Sequence, residues 1–193
     1  KNRMEKGSSI VFCTSTAGLE WKKFKREQNK VVHSKTWEEV QEVTKKLASS
    51  APATFAYMYS KRCLSQFICE QSVEFAKMGI RMNNVLPAST DTGMKQEFQD
   101  MVGSEEGLIA QAGLAGRLAT SEEMAGPMVF LNSDMASFVS GLDMVVDYTD
   151  TCLKVLGKKK NLEAVSATNP IICALAKKML NKSAKNALNS GNE

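Results

Sequence analysis

The stretch that most limits the fold runs from residue 56 to Thr92. Residues 56–78 read as one long helix that closes on Gly79, a favoured residue just past a helix C-terminus. A β-type run, Ile80 to Leu86, follows at once and ends in Pro87 and a Ser/Thr-rich turn. Upstream, residues 9–14 read Ser-Ile-Val-Phe-Cys-Thr, a short apolar run with β-branched members. That pattern predicts a strand buried on both faces, as in a parallel sheet. A further run, Asp143 to Asp147, supplies the last strand. Strands separated by helices imply an α/β fold with a parallel sheet. Leu64, Phe67, Ile68 and Phe75 are the expected apolar stripe of the long helix.

The chain has 193 residues, 43% apolar and 24% charged, enough for one domain with a core of its own. No apolar run approaches the roughly 20 residues that span a bilayer. The opening Lys-Asn-Arg-Met-Glu-Lys-Gly has no apolar core behind its charges, so no secretory signal is expected. Five cysteines without a C-x-x-C spacing point to reduced thiols and a cytoplasmic setting. The single histidine, His33, reads as a surface loop residue, and no metal-ligand cluster is present. From Lys154 onward eight lysines face two glutamates, while the rest of the chain is close to neutral. Nucleic-acid binding by the body is therefore not expected.

Tyr57 and Lys61 stand four residues apart at the start of the long helix and so share a face. A phenol titrates near ~10 and is a poor acid or base near neutrality. A cation about 4 Å away, at an effective dielectric near 20, would favour the phenolate by up to roughly 4 kcal/mol. Such a pair is a tunable acid and base. As a bare pair it reads equally as an exposed i,i+4 contact.

Its surroundings decide between the two. Gly7-Ser8-Ser9-Ile10-Val11-Phe12-Cys13-Thr14-Ser15-Thr16-Ala17-Gly18 resembles the serine-bearing strand of the short-chain dehydrogenase/reductase family. Tyr57-Met58-Tyr59-Ser60-Lys61 is similar to that family's Y-x-x-x-K, and Asn83 through Thr92 to its N-x-V-x-P-G-x-x-x-T. Gly116-Arg117, Glu122-Glu123, Phe130 to Ser133 and Ser140-Gly141 resemble its closing segments. The resemblance runs from Gly7 to Asp147.

It implies the C-terminal portion of a Rossmann-type doubly wound parallel sheet. The glycine-rich turn that cradles the dinucleotide pyrophosphate finds no counterpart before Ser15, so the N-terminal cofactor-binding half is expected to be absent. Residues 1–150 then form a partial domain, the catalytic half, with an insertion at 19–54; residues 151–193 form a basic extension. The implied reaction is hydride transfer between NAD or NADP and a secondary alcohol or ketone. By resemblance, Tyr57 moves the proton, Lys61 lowers its pKa and holds the ribose hydroxyls, and Ser15 orients the substrate oxygen. Pro87, Ala88, Thr90 and Thr92 fall where the family meets the nicotinamide. Two departures stand out: Ala88 replaces a usual glycine, and Asp147-Tyr148-Thr149 replaces D-G-G.

Tyr57 follows Ser15 by 42 positions, far more than in most of the family. A gap of this length resembles the bacterial 3α-hydroxysteroid dehydrogenase/carbonyl reductase branch, where the insertion contributes to subunit contacts; Trp21 and Phe24 are candidates for such an interface in a homo-oligomer. Within it we expect a solvated Lys-rich loop over 19–34 with these two aromatics turned inward, a helix near 37–48 opened by the Thr36–Glu39 capping box, and a loop through Pro52. Residues 93–115 read as two short helices with glycine joints, a lid over a small apolar alcohol or ketone or a plain hairpin. Thr120 to Glu123 opens another capped helix, which Pro127 should kink or shorten. From Pro170 an amphipathic helix with Leu175 and Met179 on one side is expected, docked or frayed rather than lying on a membrane. The alternative to an enzyme is a truncated, cofactor-free homologue acting as a non-catalytic interaction module.

Overall fold

The strand Arg81–Pro87 lies at the centre of a three-stranded parallel sheet, and five of its seven residues are buried. In the computed structural model, which describes residues 3–50, 52–161 and 163–178, the strands are β1 (Ser9–Cys13), β2 (Arg81–Pro87) and β3 (Asp143–Val146), in the order β1-β2-β3. Cys13 pairs with Val85, and Pro87 with Val146, so the carboxyl ends of all three strands share one edge. The helices are α1 (Lys25–Val32), α2 (Trp37–Ser50), α3 (Ala53–Ala76), α4 (Lys95–Val102), α5 (Glu105–Ala110), α6 (Ser121–Asn132), α7 (Asp150–Val155) and α8 (residues 170–178). A 3-10 segment, Thr16–Lys22, leads out of β1.

Side chains alternate across β2, and each face meets a different partner. Val85 joins Leu131 and Ala136 in the core between the sheet and α6, with Val11 and Met144 from the flanking strands. Asn84 points the other way, towards α3. The result is helix, sheet, helix, with α6 on one side and α3 and the 3-10 segment on the other.

Helix α3 ends as its sequence requires. Gly79 takes φ +72°, and the Ile80 amide reaches back to the Phe75 carbonyl at 3.0 Å. The Thr120–Glu123 capping box is present in both directions, and α6 continues through Pro127 to Asn132. The two short helices and their glycine joints in 93–115 also form.

Several expectations need correction. Strand β1 is not buried on both faces: four of its residues are half-buried and Cys13 is exposed, because among the described residues its outer edge carries no strand. The Lys-rich stretch is helical rather than a loop. Its charges turn outward from α1 while Gln28 is buried, and His33 closes that helix at the surface beside Glu70. Trp21 does turn inward as expected, buried within its own chain with its indole N–H bonded to Asp143 at 3.0 Å. The helix foreseen at 37–48 continues to Ser50. The stripe of α3 holds in half: Ile68 is buried and Phe75 half-buried, but Leu64 and Phe67 are each 39% exposed. The buried face of α3 carries Arg62, Ser65, Gln66 and Ser72, because its neighbours offer polar partners. Leu175 of α8 is exposed and Cys173 is the residue that docks; Met179 lies outside the described residues. Among the described residues no helix is long and apolar enough to cross a membrane.

A set of buried polar bonds runs beneath the carboxyl edge. The Asn84 amide donates to Asp143 Oδ1 at 2.9 Å and to Ser65 Oγ at 3.4 Å, and its carbonyl accepts from the Thr14 hydroxyl at 2.9 Å. Asn84→Leu keeps the size and strands all three partners, so it is expected to lower stability by about 2–4 kcal/mol in urea unfolding. A loss below about 0.5 kcal/mol would show that these bonds do not hold the sheet.

Candidate active site

Ser15, two residues past the end of β1, is extended and caps the 3-10 segment, accepting the Ala17 amide at 3.2 Å. It comes down on α3 because Gly18 allows a close approach. A β-carbon at Gly18 would stand 2.9 Å from the Lys61 carbonyl oxygen and 2.7 Å from Ser65 Oγ. Any side chain there would lift the segment away from the helix turn that bears Lys61.

The approach brings three predicted residues together. The Ser15 hydroxyl comes within reach of the Tyr57 phenol and favours its ionised form, and the Lys61 ammonium lies 5.2 Å from the centre of the Tyr57 ring. All three are half-buried at the carboxyl edge of the sheet. A fourth residue joins them: Phe98 of α4 meets the Tyr57 ring edge-on, with centroids 5.3 Å apart and an interplanar angle of 79°. Phe98 counted only as lid apolar content in the sequence, where nothing pairs it with Tyr57.

The electrostatics differ from expectation. Burial pushes the Tyr57 phenol above its ordinary range, Ser15 opposes this by hydrogen bonding to the oxygen, and the nearby Cys13 thiol adds to the rise. The net direction is upward, so the lowering assigned to Lys61 is not found. The ammonium stands over the ring face, where it meets the π cloud rather than the oxygen that carries the charge. Tyr57 is therefore a phenol, a proton donor, through neutral pH.

The remaining predicted contacts lie one strand over. Pro87 ends β2, and the Ala88 amide bonds to the Val146 carbonyl at 3.0 Å. Thr90 donates to the Ala88 carbonyl at 3.0 Å, and the Thr92 hydroxyl accepts the Met94 amide at 3.3 Å. Both hydroxyls thus hold their own turn. Ala88 also borders a pocket of about 110 Å³ with Ala112, Ala119, Met124, Val146 and Tyr148, which Tyr57 does not line. Tyr148 and Thr149, which replace the glycine pair, sit at φ +43° and +76°. Those are angles at which a β-branched residue is strained, and they account for glycine being usual there. Gly113 compensates by leaving room for the Tyr148 carbonyl, which a β-carbon would meet at 2.2 Å.

A family model described as enoyl-(acyl carrier protein) reductase matches residues 43–148. The chain is 32% identical over 98 residues to the short-chain dehydrogenase srdC of Neurospora crassa, covering 51% of this chain and 36% of that one. It is 38% identical over 97 residues to a cyclopentanol dehydrogenase of Comamonas, covering 50% and 38%. Among solved structures it resembles the 3-alpha-hydroxysteroid dehydrogenase of a Pseudomonas species, with TM-score 0.62, 19% identity, and coverage of 79% of this chain and 58% of that one. The chain thus spans well under half the length of these curated relatives.

Removing the Ser15 hydroxyl takes away a bond that favours the phenolate. In Ser15→Ala the Tyr57 titration midpoint should rise, read by NMR of tyrosine labelled at the phenolic carbon. An unchanged midpoint would mean that the two groups do not meet in solution.

Proposed function

The chain belongs to the short-chain dehydrogenase/reductase family, and from that premise we propose that it is the catalytic half of an NAD(P)-dependent oxidoreductase interconverting a secondary alcohol and a ketone. The observation that carries the reading is the meeting of the Ser15 hydroxyl, the Tyr57 phenol and the Lys61 ammonium at one edge of a parallel sheet. Open sheets of this kind bind ligands beyond the carboxyl ends of their strands.

The donor set suits the nicotinamide end of the cofactor. Lys61 has three N–H donors, stands over a ring face and near the Cys13 thiol, and makes no ion pair among the described residues, which leaves its donors to hold ribose hydroxyls. Pro87, Ala88, Thr90 and Thr92 form the turn one strand away that would border the nicotinamide. When bound, the nicotinamide supplies or accepts the hydride. Tyr57 gives its proton to the carbonyl oxygen in reduction and takes one from the hydroxyl in oxidation. Ser15 turns its single O–H from the phenol to the same substrate oxygen and stabilises the charge that gathers there.

Since burial holds Tyr57 protonated, reduction has its donor ready through neutral pH. Oxidation needs the phenolate and gains as pH rises towards the elevated phenol range. For substrate we favour a bulky, flat, apolar alcohol such as a hydroxysteroid. Phe98 against Tyr57, and the exposed Met94 and Leu114 on the same glycine-jointed segment, support this, as does the long insertion. The cyclopentanol dehydrogenase relative is in keeping with a cyclic secondary alcohol. Five unpaired cysteines support a reducing, cytosolic setting.

The second reading is a cofactor-free interaction module. A melting experiment separates the two. A cofactor at about ten times its dissociation constant stabilises by about 1.4 kcal/mol, a rise of about 3–5 °C for a chain of this size. We expect that rise with NAD(H) or NADP(H), and its loss in Lys61→Ala. No shift at millimolar concentrations of either cofactor would favour the module.

A further inference from the structure

The C-terminal extension does more than cover the body. We propose that Asn161 and residues 163–167 form a strap tying the 3-10 segment that carries Ser15 to the helix that carries Tyr57 and Lys61, and that Arg62 is the positioning residue through which the strap grips that helix. The inference rests on the reading of Ser15, Tyr57 and Lys61 as one site.

Arg62 follows Lys61 directly, and Met58 follows Tyr57, so the pair Met58/Arg62 runs beside the pair Tyr57/Lys61 around the helix. Arg62 is fully buried. Its guanidinium donates to the Val165 carbonyl at 3.0 Å, to the Glu163 carbonyl, and to Met58 Sδ at 3.3 Å. Its other side lies 4.3 Å from the centre of the Phe24 ring. Two of its partners are thus strap carbonyls, reached by a planar fork that lysine cannot reproduce. Beneath the same stretch, Ala167 is fully buried against Met58, Tyr59 and Cys63.

The strap is fastened on the 3-10 side as well. The Asn161 amide donates to Glu20 at 2.7 Å, and Lys23 to the Ala164 carbonyl at 3.4 Å. Glu163 is held in turn by Lys154 at 2.7 Å. One run of chain therefore joins Glu20, five residues after Ser15, to Arg62, one residue after Lys61. Local structure leaves the front of α3 in need of such a hold. The helix begins at Ala53 behind Pro52 with no side-chain cap, and Tyr57 lies in its second turn.

The test uses the full chain and needs no cofactor, so a failed cofactor melt would overturn the proposed function without touching this result. Arg62→Met should increase amide exchange in 163–173 at least about tenfold, and Arg62→Lys should fall between it and the parent. In the labelled-tyrosine titration, Arg62→Met should move the Tyr57 midpoint up towards that of Ser15→Ala. If circular dichroism shows Arg62→Met unfolded, Ala167→Asp gives the same two readings, since it evicts the strap without altering α3. Unchanged exchange in 163–173 would overturn the role of Arg62. Loosened exchange with an unmoved or lowered Tyr57 midpoint would reduce the strap to a cover and overturn the positioning claim.

Discussion

The amide of Asn84 is the interaction on which the rest depends. It sits at the buried centre of the sheet and bonds to the end of β1 through Thr14, to α3 through Ser65 and to β3 through Asp143. Asp143 extends the reach to Trp21 in the 3-10 segment. Apolar contacts alone would bury comparable area but would let these elements slide past one another. Each hydrogen bond is worth only about 1 kcal/mol net, yet leaving a partner unmade costs more, so the arrangement has one register. That register sets where Ser15 emerges and how Gly18 comes to lie on the Lys61 carbonyl. The site is thus a consequence of a polar seam in the sheet, with the two halves meeting at a glycine.

The phenol shows which of two opposing effects wins. A cation beside an oxygen favours its ionisation strongly at an effective dielectric near 20, by up to about 4 kcal/mol at 4 Å. Here the cation stands over the ring, 5.2 Å from its centre, and the ring is hemmed by Phe98 as well. Burial then dominates, with the Ser15 bond as the counterweight. Spacing four apart on a helix guarantees a shared face, but it does not fix which part of the tyrosine the lysine meets. This is why the sign of the shift was not readable from sequence while the meeting of the residues was.

The same distinction runs through the fold. Strands, the Gly79 stop, the Thr120 box and the glycine-jointed pair of short helices were legible because each is set by local chemistry within a few residues. The buried face of α3 was not, because polar residues share it with apolar ones and acquire their partners from Asn29, Asn84 and the strap carbonyls, far away in sequence. A pair of asparagines inside an apolar run, Asn83-Asn84, was the one available signal, since buried amides must find partners. Helix α1 was missed because its apolar residues are few and its lysines dominate the pattern. Arg62 carried no signal: next to Lys61 it reads as one more surface cation.

The extension looked like a solvated basic tail, and part of it is the reverse. Asp150, 1% exposed, pairs with Lys154 at 2.7 Å and with Lys159, and Lys154 also holds Glu163. Burial disfavours the charge on Lys154, but the two carboxylates outweigh it and hold its pKa above the ordinary lysine range. A folded-state pKa above the unfolded value means a stabilising contribution that is complete below the ordinary lysine pKa and fades only as pH climbs through the raised one. Lys154 therefore keeps its charge, and its hold on Glu163, through neutral pH, where Tyr57 is a proton donor. The strap and the phenol lose their present states at the same alkaline end, so throughout neutral pH one fixed arrangement of Ser15, Tyr57 and Lys61 is presented at the sheet edge.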